Sequence, residues 1–437
     1  MRSYADVGST KASERTPTCT KQGFNLTGAR LARVDRAKKR IGERRFFSLF
    51  KRYVNGVAMN RVFEYIEKNQ QKFLSLWEDI CNMEGTAEDK PATDAITDKL
   101  LFFCESLSLF TERVCFDKCG DFLIVDTKHN AEKGVCFLAH TDTVHKKGAF
   151  GYPPVKIEGG KMQGPGVIDC KGGIAIALLA MTALIDAGYE NNCRLLLTTD
   201  EEISNILGGE REMQVIKAAT EGFKAAFNCE VAREGEVVVS RKGILRYIFK
   251  IHGVAAHSGI DYFGGASAIR EAAYKILALE EKSAEGGTTF NCGLIKGGEK
   301  SNIVPNYCEI TVDVRVNDRN AMKQAEQTLA EIAAKTFVSG TKTELCFASK
   351  REPMLRNEDT EALYNHLNAV SQKYALGELV PIESGGGSDS AYTQLAGVPS
   401  ICAVGATGDF CHTVREYANI SSLVSRAKLL AAATLEL

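Results

Sequence analysis

The sequence predicts an α/β protein in which a mostly parallel sheet flanked by helices is interrupted by a smaller two-layer α+β unit. Three observations predict it. Apolar strand-like runs alternate with helical segments over residues 59–242, which is the texture of a parallel sheet with helical crossovers. Near Gly243 the texture changes to residue-by-residue alternation, the sign of a sheet covered on one face, and this persists to residue 353. From residue 354 to residue 437 the first texture resumes. A chain of 437 residues also exceeds the size at which one core keeps growing, so two domains are expected.

The elements follow in order. Residues 1–58 hold fourteen Lys/Arg against four Asp/Glu and show no sustained period. They read as a basic, disordered extension with nothing before about Val54 packing on the fold. A targeting segment and a non-native leader preceding Met59 are the alternatives. From Asn60, Val62, Ile66, Phe73, Leu76, Trp77 and Ile80 recur at three- and four-residue intervals and predict an amphipathic helix. A second helix is expected over about 92–107, then strands at FLIVDT and VCFLAH. A mostly apolar helix over 172–187 is stopped by Gly188. The buried strand RLLLTT runs into Asp200-Glu201-Glu202, and a helix near 210–219 leads to AAFN and Glu230.

Within the inserted stretch, Leu245, Tyr247, Phe249 and Ile251 alternate with more polar neighbours. Two helices (about 266–281 and 321–335) and the strands TFNCGLI, YCEITVDVRV and LCFAS complete a β-α-β-β-α-β order. In the third strand Ile310, Val312, Val314 and Val316 face one way, and Thr311, Asp313 and Arg315 the other. After residue 353 come a helix, the stretch SGGGSDSAYTQLAGVPSICAVG, His412 and a closing helix over 421–435.

Composition excludes some functions. With 44% hydrophobic and 25% charged residues the chain is an ordinary globular one. Beyond residue 58, forty basic residues face fifty-one acidic ones, which argues against nucleic-acid binding by the folded part. The longest uncharged apolar run, Ile174 to Ile185, is too short for a membrane span. Fourteen cysteines scattered singly, with no Cys-x-x-Cys pair, are expected as free thiols in the cytoplasm.

The chemistry-bearing residues cluster where buried strands stop. His140 ends one such strand and Asp142 follows two residues on, placed to support a ligating imidazole or simply to satisfy a structural one. Asp169, in GPGVIDCKGG, reads either as a metal ligand or as a helix N-cap. Glu201 and Glu202 follow a run of leucines, where two like charges raise each other's proton affinity and something must compensate them. Adjacent residues at a strand end point differently, which lets one hold metal while the other serves as a base. Glu230 and His412 end later strands, and His257 ends the inserted unit's first hairpin. The remaining histidines, His129, His145, His252 and His366, read as structural or solvent-facing.

HTDTV, GPGVIDCKGG, TTDEE, NCE, AAHSG and CHTVREYANI occur in the order and approximate spacing of a co-catalytic zinc metallopeptidase family. It is the family of carboxypeptidase G-type glutamate carboxypeptidases, acetylornithine deacetylase, succinyl-diaminopimelate desuccinylase and aminoacylase. The chain resembles it from about Met59 to its C-terminus. GGGSDSAYTQLAGVP is most similar to the carboxypeptidase branch.

The resemblance implies a zinc-peptidase-like catalytic domain over 59–242 and 354–437, and a ferredoxin-like lid and dimerisation domain over 243–353. It implies two zinc ions, with cobalt or manganese as alternatives, bridged by Asp169. One ion would also take Glu202 and His412, the other His140 and Glu230. Glu201 would be the general base, Asp142 the support behind His140, and Asp169–Cys170 a cis peptide. His257 of a second copy would steady the oxyanion, while Asn302 and Arg315 would hold the substrate. Arg315 has a simpler reading as a surface ion pair with Asp313. Two small departures from the family pattern are Glu230 in place of Asp, a choice that also occurs within the family, and Cys170 in place of a more usual Met. The expected activity is hydrolysis of an amide bond in a small peptide by a homodimer. An N-acyl amino acid deacylase is the alternative, and a non-catalytic dimeric binding protein a more distant one.

Overall fold

The computed structural model describes residues 43–437, with side chains from Gly56 onward, so most of the expectations for residues 1–58 lie outside the described residues. The first helix, α1 (Glu43–Asn82), starts upstream of the expected Asn60. The stripe picked out by its spacing, from Val62 to Ile80, is buried. In α2 (Lys90–Ser106) the Asp89 side chain accepts the Ala92 N–H, and Pro91 sits in the first turn where its missing donor costs nothing.

The chain continues through β1 (Phe110–Val114), β2 (Phe122–Asp126), β3 (Lys133–His140), the hairpin β4 (Lys156–Glu158) and β5 (Lys161–Gln163), and α3 (Gly172–Asp186). Then come β6 (Asn192–Thr198), α4 (Gly209–Thr220), β7 (Ala225–Asn228) and β8 (Glu236–Arg241). The inserted unit is β9 (Gly243–His252), α5 (Ala268–Glu280), β10 (Thr289–Gly297), β11 (Tyr307–Val316), α6 (Arg319–Ala334) and β12 (Lys342–Arg351). The chain closes with α7 (Glu358–Lys373), β13 (Val380–Ser384), α8 (Ser390–Leu395), β14 (Ser400–Cys402), β15 (Gly408–Asp409), β16 (Tyr417–Asn419) and α9 (Ser422–Glu436).

Eight strands form the main sheet, in the order β1-β2-β6-β3-β7-β14-β8-β13. Its centre, β6-β3-β7-β14, is parallel, as expected for strands fed by helical crossovers. Antiparallel pairs at β1–β2, β2–β6 and β14–β8 make the sheet mixed as a whole. Sequence reading missed β1 and β13, partly exposed edge strands without an apolar run, and also the buried β8, whose apolar run is only three valines long. The parallel centre has one consequence for function. β3, β6 and β7 all end on the same edge, which brings His140, the Glu201–Glu202 pair and Glu230 together.

Helix α3 is apolar all round because it is covered on both sides, packing on β3 and β6 and against α9. Counted from Val167, its 20-residue segment is long and apolar enough to span a bilayer by composition, longer than the sequence reading allowed, yet 94% of its most apolar window is buried within the fold. Its N-terminus approaches the main sheet so closely that a Cβ at Gly173 would lie 2.0 Å from the Cys229 carbonyl oxygen, so only glycine fits.

The inserted unit forms an antiparallel sheet in the order β10-β11-β9-β12, the β-α-β-β-α-β arrangement read from the sequence. Ile310, Val312, Val314 and Val316 are buried in a core separate from that of the main sheet, with Leu245, Phe249 and Ile251 from β9 and Leu329 from α6.

Candidate metal and catalytic site

The centre of the site is Asp169. It lies in the turn Val167–Lys171 before α3, where it and Cys170 leave helical dihedrals and are joined by a cis peptide. The turn is pinned from outside. Trp77 Nε1 donates to the Val167 carbonyl at 2.9 Å, and the buried Glu416 carboxylate accepts the Ile168 N–H at 3.0 Å. Held this way, the two carboxylate oxygens of Asp169 face different imidazoles. Oδ1 lies 3.1 Å from His140 Nε2, and Oδ2 lies 3.2 Å from His412 Nε2.

The other predicted ligands gather around this axis. His412 Nε2 is 3.2 Å from Glu202 Oε2, and His140 Nε2 is 3.8 Å from Glu230 Oε1. Potential ligand atoms of His140, Asp169 and Glu202 lie within 4.8 Å of one another, as do those of His140, Glu201 and Glu230. The structure therefore brings His140, Asp169, Glu201, Glu202, Glu230 and His412 into one cluster.

Asp142 supports His140 differently from the sequence expectation. The His140 ring Nδ1 is 3.0 Å from the Asp142 backbone carbonyl and 3.3 Å from its carboxylate, so the main chain is the nearer partner. Either contact directs Nε2 toward Asp169. The other carboxylate oxygen, Oδ2, accepts the Glu202 N–H at 3.1 Å and ties the ends of β3 and β6 together.

Charge explains what the cluster can hold. Burial pushes the Glu202 carboxyl up to about 8, helped by Asp169, and burial with Glu201 and Asp169 does the same to Glu230. Hydrogen bonds to Asp169 and Glu202 push His412 up to about 11. Asp169 itself is buried, which would raise it, but His140 and His412 hold it well below the usual carboxylate range. Protons on Glu202, Glu230 and His412 thus stand where cations would be favoured. Two imidazoles and three carboxylates, with a further carboxylate beside them, are a donor set that suits zinc, cobalt or manganese.

Several residues of this site had no assigned role in the sequence reading. Arg351 contacts the Glu201 carboxylate and Arg241 Nη2 approaches Glu230 Oε2 at 4.0 Å, so these two arginines offset the buried acids. Glu416 accepts from His145 Nε2 at 2.6 Å while holding the turn at Asp169, which gives His145 the structural role expected of it. Asp389 accepts from Thr198 Oγ1 at 2.8 Å at the end of β6. Glu416 and Asp389 lie inside quoted motifs, CHTVREYANI and GGGSDSAY, and were open to notice. Neither arginine stands in a pattern that marks it.

The inserted unit's candidates are not among the side chains gathered around Asp169. His257 and Asn302 are exposed neighbours: His257 bridges to Ile303, and the Ser258 N–H donates to the Asn302 carbonyl at 3.0 Å. Arg315 makes the ion pair with Asp313 at 2.6 Å, and its Nη1 donates to the Gly385 carbonyl at 3.3 Å. Beside Gly385 lies a cavity of about 430 Å³ lined by Arg241, Lys242, Asn317, Arg356 and Ser384. It borders the carboxylate–imidazole cluster through Arg241 and is of the size that holds small molecules.

Comparison with known proteins gives a consistent result. Residues 136–436 match the family model of Peptidase family M20/M25/M40. The chain is 28% identical over 326 residues to carboxypeptidase G2 of Pseudomonas sp. (strain RS-16), covering 73% of this chain and 77% of that one. It is 26% identical over 325 residues to succinyl-diaminopimelate desuccinylase of Rickettsia akari (strain Hartford), covering 67% and 80%. Its fold matches that of an M20 family metallo-carboxypeptidase from Sulfolobus solfataricus with a TM-score of 0.69 over 84% of this chain and 98% of that one, at 16% identity.

Proposed function

This chain belongs to peptidase family M20/M25/M40 and is a metal-dependent peptidase or amidohydrolase, and from that premise we propose that it is an exopeptidase of the carboxypeptidase G kind, using two zinc ions to cleave a small peptide. The observation that supports the two-ion reading is the placement of the Asp169 oxygens toward two separate imidazoles, which would let one carboxylate serve two ions. His140 and Glu230 would hold one ion, Glu202 and His412 the other, with cobalt or manganese able to replace zinc. Bound metal would lower the pKa of the attacking water and polarise the scissile carbonyl.

The remaining steps belong to the chain's own residues. Glu201 accepts a proton as the water oxygen bonds to the carbonyl carbon. It then delivers that proton to the leaving nitrogen as the C–N bond breaks, and the water's second proton passes from the new carboxyl group to the amine, releasing a carboxylate and an ammonium. Asp142 keeps the His140 ring oriented. Arg315 and Asn302 hold the substrate, the guanidinium being suited to bidentate capture of a terminal carboxylate. The exposed His257 serves the site of a second copy in a homodimer, where it steadies the oxyanion. An N-acyl amino acid deacylase using the same groups is the second reading, favoured by the desuccinylase similarity.

Zinc-loaded protein assayed against C-terminal-glutamate dipeptides and N-acetyl and N-succinyl amino acids separates the two readings. In Glu201→Gln, turnover of the best substrate should fall by roughly 10²-fold or more with metal content unchanged. Near-normal turnover there would overturn the role of Glu201.

A further inference from the structure

Two connections join the inserted sheet to the main sheet, and each carries a buried arginine. Arg241 ends β8 just before β9 begins, and Arg351 ends β12 opposite Ile244 of β9. Arg351 is 2% exposed, and its guanidinium is spread over the loop that follows β6. Nη1 contacts Glu201 Oε1, while Nη2 donates to the Glu201 carbonyl at 2.8 Å and to Asn205 Oδ1 at 2.6 Å. Asp389 supplies a second carboxylate 3.7 Å away. One arginine therefore grips both the side chain and the main chain of the same glutamate, which fixes the direction of the carboxylate as a single contact would not.

The parts around this grip are themselves held. Ser204 and Asn205 are both left-handed, with φ of 66° and 56°. Asn205 Nδ2 donates to Glu212 Oε1 at 2.9 Å and to Asp389 Oδ1 at 3.3 Å, so the second anchor of the guanidinium does not drift. Asp200 Oδ2 accepts the Leu207 and Gly208 N–H groups at 3.0 Å and closes the loop. On the other side the arginine stem runs past Gly387, where a Cβ would lie 2.7 Å from Arg351 Cδ. The glycine run before α8 leaves the passage through which Arg351 reaches Glu201.

We propose that Arg351 is a positioning residue that aims the Glu201 carboxylate, so that the reach of the general base is set by the strand leaving the inserted sheet. The inference rests on Glu201 being the base. A lysine keeps the charge but has a single point donor in place of the planar fork, and cannot hold side chain and carbonyl together.

The test is Arg351→Lys, with Glu201→Gln in parallel, both zinc-loaded and assayed on the best substrate of the dipeptide and N-acyl panel. Arg351→Lys should lower kcat by roughly 10- to 100-fold, the cost of a misplaced reacting group, with KM within about twofold and metal content unchanged. Gly387→Ala, which displaces the stem but retains the arginine, should lower kcat in the same sense by less, and it carries the test if the lysine variant does not fold. Folded, metal-loaded Arg351→Lys or Gly387→Ala with full kcat would overturn the positioning role. If Glu201→Gln is also fully active, the assignment of the base fails instead.

Discussion

The C-terminal edge of the eight-stranded sheet and the open face of the four-stranded sheet both carry charged residues, but under opposite physical conditions. At the first, His140, Asp142, Asp169, Glu201 and Glu230 are all buried, and their oxygens and nitrogens lie within a few ångströms of one another. Burial there drives Glu202 and Glu230 far from ordinary carboxylate behaviour. At the second, Arg246, Asp313 and Arg315 form a half-buried chain of ion pairs on the face opposite the apolar core. The main sheet's edge gathers buried charges around one point, whereas the smaller unit buries the Lys275–Glu271 pair within its helical layer, where main-chain carbonyls take up the ammonium. The other sheet is a conventional amphipathic layer that lends the site residues from its margins.

The largest effect should come from truncating the cores beneath the two sheets. Phe137 and Phe249 are both fully buried, and replacing either by Ala should cost about 3–5 kcal/mol in urea unfolding. Phe137 lies three residues before His140 and stacks on Phe227 of the strand leading to Glu230, so Phe137→Ala should also weaken zinc binding, by roughly tenfold in a metal titration. Phe249→Ala should leave zinc affinity unchanged. Equal zinc affinities would erase the distinction between the sheets.

A smaller effect should appear with pH in metal-free protein. Glu202 and Glu230 have folded values above their unfolded ones, so the folded state binds more protons and loses stability as pH rises from about 4.5 to about 8. His412, raised to about 11, contributes stability that is complete below about 6.5 and declines above it. This histidine is exposed enough that solvent screening reduces its share. The Tm of chelator-treated protein should therefore fall by roughly 3–6 °C between pH 6 and pH 8.5, and zinc should flatten that slope. An unchanged slope on adding zinc would mean that the carboxylates are not the ligands.

The smallest stability change should follow Arg315→Ala. Its ion pair with Asp313 is partly solvated, so unfolding should shift by no more than about 1 kcal/mol. If Arg315 holds substrate, KM should rise roughly tenfold or more while kcat is retained. Unchanged KM would leave the ion pair as its whole role.

The site was more legible in the sequence than the scaffold that aims it. Ligand candidates announce themselves because imidazoles and carboxylates are out of place directly after VCFLA or RLLL. The two edge strands and the upstream start of α1 were not legible, since half-exposed segments need no distinctive pattern, and the buried β8 escaped because three valines are too short a run to stand out. The pair Glu201–Glu202 signalled that a compensating charge must exist but not where. Arg351, 150 residues away, is an ordinary residue in a polar strand until the fold places it.

By itself the sequence determined most of the alternation of buried strands and helices, the inserted β-α-β-β-α-β unit and the acidic and imidazole residues at the ends of β3, β6 and β7. These follow from local periodicity and from the cost of burying charge, both of which are written in neighbouring residues. Only the tertiary structure decided that the two Asp169 oxygens face different imidazoles, that Asp142 supports His140 more closely through its main chain, and that Arg351 grips Glu201. Those relations depend on where separate strands end in space, and contacts between distant residues leave no period in the chain.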